Sequence, residues 1–162
     1  MKNQKNLIQL SKIILVGMLA IYFIIVVLGN ITDYGTNYQF VEHVLAMDTT
    51  FNSPNLMYRA VNSEPVYHVF YWIIILTEIL IAALLGLGAI MLFNKNKKKA
   101  ERGKNIAIKG LILSMILWLG YFITVGGEWF AMWQSSTWNG LDPAFRMFVV
   151  SAIIFLILIQ KD

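Results

Sequence analysis

A chain of 162 residues that is 58% hydrophobic and 14% charged, with a mean hydropathy of +0.65, lacks the polar surface a soluble domain needs and belongs to the membrane class. It contains no cysteine, which excludes disulfides, thiolate metal sites, thiol redox chemistry and cysteine nucleophiles. The net charge of +4 does not point to nucleic acid, because the basic residues gather beside apolar runs, where they act as topology signals.

Four stretches, taken in chain order, are long enough as helices to cross a hydrocarbon core about 30 Å thick: Leu7 to Leu28, Val66 to Phe93, Ile106 to Val125 and Pro143 to Ile159. Each must be helical, because lipid offers no partner to an open backbone. The first is too long for a signal-peptide core and has no small-residue cleavage site, so it is expected to be retained. Ser63-Glu64-Pro65 and Asp142-Pro143 place a cap and a first-turn proline before spans two and four.

Residues 29–65, between spans one and two, form the longest connection. In NYQFVEHVLAMD the apolar Phe40, Val41, Val44 and Leu45 share one helical face, and Leu56, Met57, Ala60 and Val61 repeat that spacing after Ser53-Pro54. This predicts two short amphipathic helices that lie as a lid over the outer mouth of the bundle.

Eleven of the thirteen basic residues lie on one side: Lys2, Lys5 and Lys12, the seven around the 94–105 link, and Lys161. By the positive-inside rule both termini and that basic loop are cytoplasmic. Asp33, Glu42, Asp48, Glu64, Glu128, Asp142 and both histidines then fall outside. The expected fold is all-α: a single four-helix transmembrane domain over 1–162, with a short helical periplasmic cap.

The strings NITDYGTNYQFVEHVLAMDTTF and GGEWFAMWQSSTWNG resemble the two signature blocks of a bacterial family of predicted small integral membrane proteins, a four-span domain of unknown function. The resemblance covers the whole chain, including Glu78. It implies four spans in the bacterial inner membrane and carries over no functional residue.

Candidate chemistry lies at the outer side. Glu78 sits within span two, where a charged group at the centre costs at least ~2.5 kcal/mol and marks a functional site by default. The small residues Ala82, Gly86 and Ala89 at helical spacing from it would let a second helix approach, which turns Glu78 toward protein. Stepping back from Glu128 by three and four reaches Thr124, Tyr121, Leu117, Ser114 and Gly110, a small, polar face that puts Glu128 on the bundle side. The tryptophans around it, Trp129, Trp133 and Trp138, read first as an interfacial belt. Arg146 lies at the same depth and is expected to pair with Glu128 or Glu78. The expected polar, ligand-binding pocket is thus lined by Glu78, Glu128, Arg146, Tyr71, Asp48 and Trp129, with His43 nearby.

His43 and Met47, one turn apart, with His68 and Met132, form a weaker set that would take a metal ion or haem. No HExxH, nucleophile elbow or phosphate-cradling loop is present. The leading functional reading is a binding or accessory subunit of a membrane complex. The alternatives are a metal- or haem-binding membrane enzyme or redox protein using His43 and Glu128, and a small cation or drug transporter. Expected partners are the bilayer and a homo-oligomer or larger complex, without nucleic acid.

Overall fold

The computed structural model describes residues 2–160, with side chains from Asn6 onward. The side chains of Lys2 and Lys5 and the whole of Lys161, three of the basic residues counted above, lie outside the described set. Helix α1 spans Lys2–Thr32, α2 Tyr34–Ala46, α3 Glu64–Leu92, α4 Lys97–Met115 and α5 Leu141–Ile159. Beyond Met115 the third span continues as a π-helix, Ile116–Trp129, and single 3-10 turns occupy Met57–Arg59 and Met132–Gln134. There is no strand among the described residues.

Four helices are long and apolar enough to cross a membrane: Asn6–Thr32, Glu64–Leu92, Lys97–Trp129 and Leu141–Ile159. Their lipid-facing sides carry large apolar residues such as Ile25, Leu76, Ile90 and Leu156, all more than half exposed within the protein. An even number of spans returns both ends to one side. Lys12 Nζ accordingly donates to the Gln160 carbonyl at 2.8 Å, so a buried cation meets the C-terminal end of α5, where the helix dipole favours it.

Several boundaries differ from expectation for local reasons. The third span begins at Lys97, so most of the basic 94–105 link is helical. Asn96 starts it, its Oδ1 accepting from the backbone N–H of Lys98 and Lys99 at 3.0 and 3.4 Å. Ser63 stands at the N-cap position of α3 but makes no side-chain cap bond. Asp142 lies inside the first turn of α5, after Gly140 at the cap position, and is used to pair with Arg146. The second amphipathic helix is reduced to the turn Met57–Arg59.

Helices α3 and α4 form the tightest pair. On α4, Gly103, Ala107 and Gly110 recur at one-turn spacing and face α3. A Cβ at Gly88 would lie 2.8 Å from Ala107 Cβ and N, and one at Gly103 would lie 2.6 Å from Met91 Cβ. Close approach of backbones supplies the packing that an apolar solvent cannot drive. Gly86, expected in this role, faces open space instead. Ser114 and Ser151, both fully buried, join α4 to α5 through a 2.8 Å hydrogen bond.

Helix α2 flanks the bundle more than it covers it. Asn30, in the last turn of α1, meets Glu78, the midpoint of α3, so α3 runs on for fourteen residues beyond that contact while α1 ends two residues after it. Helix α2 packs along that extra length, burying Val41, Val44 and Leu45 against Tyr67, Tyr71, Ile75, Phe130 and Met132. A second core, around Phe23, Leu85, Leu111 and Leu117, fills the other half of the bundle.

Gly88→Ala is expected to lower stability by about 1–3 kcal/mol through overpacking, while Gly86→Ala costs nothing. Reversible unfolding in mixed micelles measures both, and equal effects would remove the close α3–α4 contact.

Candidate functional site

The polar centre is built on three helices. Glu78 is 2% exposed and accepts from Asn30 Nδ2 at 2.6 Å. Asn30 Oδ1 in turn accepts from Asn37 Nδ2 on α2 at 2.9 Å, and Tyr71 Oη donates to the Asn30 carbonyl at 3.1 Å. That carbonyl lies in the final turn of α1, where no further helical N–H is available to it. The cluster therefore satisfies a carboxylate and a helix end together. Farther out on α3, His68 Nδ1 shares a 2.7 Å hydrogen bond with Tyr34 Oη, and its ring stacks on Tyr38 at 4.4 Å.

Glu128 does not join this centre. It is exposed and has no side-chain hydrogen bond or ion pair among the described residues. The face projected for it holds as far as Leu117: Gly110, Ser114 and Leu117 are buried, whereas Tyr121 and Thr124 are exposed. The break coincides with the start of the π-helix at Ile116. There the backbone bonds reach five residues along, as in the Phe130 N–H to Val125 carbonyl bond, and Thr124 Oγ1 also donates five residues back, to Leu119. A π-turn takes about 4.4 residues against ~3.6 for an α-turn, so eleven residues of π winding fall roughly half a turn behind. Glu128 is carried to the outside, and Gly126 and Gly127 are carried in.

The expected ion pair is likewise absent. Arg146 pairs with Asp142, one turn away at 2.5 Å, and both are largely exposed. The tryptophans form no cage, since each has a separate partner. Arg59 lies over the Trp129 ring at 4.7 Å and donates to the Trp129 carbonyl. Trp133 meets Phe51 edge-on, and Trp138 stacks on His43 at 4.7 Å.

The expected metal set is dispersed. Met47 follows α2 in the left-handed conformation (φ 54°), which breaks the helical register, and its side chain is buried in the core beneath α2. His43 instead bonds Asp48 through Nδ1 at 2.7 Å. Met132 is buried, its sulfur accepting from the Gly140 N–H at 3.4 Å. No three His, Asp or Glu side chains converge on one point among the described residues.

Where a polar pocket was expected, the structure has an apolar one. A cavity of about 300 Å³ lies between α2, α3 and the π-helix. Phe40, Val41, Val44 and Leu45 form one wall, Phe70, Ile73 and Ile74 a second, and Tyr121, Phe122, Val125 and Gly126 a third, with Phe130 and Met132 behind. Of the residues expected at a site, Met132 alone lines it. Of this wall, α-helical stepping from Glu128 reached Tyr121 but not Phe122, Val125, Gly126 or Phe130. Also missed was Trp118, buried between Phe23 and Phe122 with its indole N–H unpaired among the described residues.

Four membrane-crossing helices, a flanking amphipathic helix and an internal carboxylate define a small four-span integral membrane protein. Residues 8–161 match the family described as predicted small integral membrane protein (DUF2165), and the chain belongs to that family. No curated protein and no solved structure matches it.

Asn30→Leu removes the donor to a buried carboxylate and is expected to destabilise the bundle by about 1–3 kcal/mol. Arg146→Gln is expected to change stability by less than about 0.5 kcal/mol, because its pair is solvated. Detergent unfolding curves compare the two, and the reverse order would reinstate Arg146 as the site's counter-ion.

Proposed function

We propose that the protein is a non-enzymatic binding subunit of the bacterial inner membrane, a single four-span domain that holds one lipid acyl chain beside its periplasmic cap. The sidedness rests on the basic residues, which favour cytoplasmic termini. The reading is carried by the cavity at α2, α3 and the π-helix. Its lining offers water too few polar partners, of which a buried water needs about two to four, so an apolar occupant is favoured.

Its border argues for lipid as that occupant. Phe70, Ile73, Tyr121 and Val125 line the cavity and are also among the exposed residues of spans two and three. The hydrocarbon around the protein therefore meets the cavity directly. A polar headgroup would rest above it, where Tyr38, His43 and Trp138 supply the amphipathic rings common at a membrane surface. The volume suits part of one chain, and sites of this size occur between helices of bundles.

Gly126 provides the test. A Cβ there meets the Tyr121 carbonyl at 3.5 Å and Met132 at 3.6 Å, both ordinary contacts, so the backbone accepts a side chain and Gly126→Leu would fill the cavity. Displacing about two buried methylenes of a bound chain costs ~1.6 kcal/mol, or roughly tenfold in retention. Native mass spectrometry of protein released from nanodiscs is expected to give one retained phospholipid in the wild type and in Gly120→Leu, and a tenfold loss in Gly126→Leu. Equal retention in all three would reject the proposal.

A further inference from the structure

Glu78 presents a separate question, independent of the apolar cavity. A carboxylate that is 2% exposed at the midpoint of a membrane span needs a compensating charge or a proton. No lysine or arginine is among its neighbours in the described residues. The titratable groups close enough to sense it are Tyr22 of α1 and Tyr71 of its own helix, both neutral phenols. From α2 only the amide of Asn37 acts on it, through Asn30, and no charged group reaches it from α4 or α5.

Two ligands would neutralise such a group, a proton or an alkali cation, and the orientation of the amides separates them. An alkali ion requires converging oxygens. Here Asn30 turns its N–H donor to Glu78 and its oxygen to Asn37, so hydrogen-bond donors face inward along the chain. That order solvates a carboxylate between its charged and neutral forms and leaves no oxygen cage around it.

The same residues reach the surface. Asn37 is exposed on α2, and Asn30 is only 9% exposed below it. A continuous line of polar groups thus runs from an exposed amide on α2 to a carboxyl at the midpoint of a membrane span. Along the rest of α3 toward Leu92, the buried residues are Ile81, Ala82, Leu85, Gly88 and Leu92, none of which has a polar side chain.

We propose that Glu78 is a proton-binding site loaded from the capped end through Asn37 and Asn30, and closed toward the opposite face by the apolar core. The proton resides on the Glu78 carboxyl, and Asn30 is a positioning residue that holds its Oε2 in either state. Asn37 controls access.

Dicyclohexylcarbodiimide tests this, because it adds to a protonated carboxyl in an apolar setting. Protein in nanodiscs is treated over a pH series, and the adduct is located by peptide mapping, so that the wild type alone suffices if Glu78→Gln folds poorly. The expected result is one adduct on Glu78, lost in Glu78→Gln and declining about tenfold per pH unit once the site is mostly ionised. Sodium or potassium leaves the rate unchanged, and Asn37→Leu slows labelling without shifting the pH profile. The absence of an adduct on Glu78 at every pH, or a rate indifferent to pH, would overturn the proposal. Protection by sodium or potassium at fixed pH would assign the site to a metal cation instead, and an unchanged rate in Asn37→Leu would overturn the access route.

Discussion

In lipid every backbone carbonyl must find its partner inside the protein, and from Ile116 onward the third span finds it five residues along instead of four. The π-helix still pairs its backbone within itself, as lipid requires, but it widens and winds more slowly. The outward placement of Glu128, the inward placement of Gly126, Gly127 and Phe130, and the third wall of the cavity all follow from this one shift. Gly127, carried inward, lies against Leu141: a Cβ there would be 2.7 Å from Leu141 Cδ2, so the missing side chain makes room for that leucine at the start of α5.

The outer half of α3 depends on a second economy of partners. Helix α1 stops midway along α3, and α2 takes over its place as the neighbour. The handover occurs at Asn30, which uses its side chain for Glu78 and Asn37 and its carbonyl for Tyr71. One asparagine thereby satisfies the end of a helix, a buried acid and the start of the cap. The other intramembrane polar pair, Ser114 and Ser151, is neutral and self-contained, and it carries none of this chemistry.

The spans, the first cap helix and the inward direction of Glu78 were legible in the sequence because each rests on composition or on an α-helical period. Val41, Val44 and Leu45 point inward as their spacing predicts. Two of the errors come from the backbone. Steps of three and four along the third span assume α winding, and they fail at Tyr121, one step beyond Leu117 in the π-helix. The His43–Met47 pair assumes a helix that continues, whereas Met47 closes it in the left-handed region. Neither event has a strong local signal: Met47 is not the glycine or asparagine usual at such a position, and no proline marks the change at Ile116. Pairing of Arg146 was misjudged because Asp142, read as a cap, is a nearer acid at one-turn spacing.

Because the chain has no cysteine of its own, the winding of the third span is open to direct measurement. A single cysteine placed in turn at each of positions 116 to 129, carrying a nitroxide, reports accessibility to oxygen and to a water-soluble relaxant. The account predicts an accessibility period of about 4.4 residues, with positions 117, 118, 126 and 127 protected and position 128 open. A period of ~3.6 with position 128 protected on the same face as 114 and 117 would contradict it.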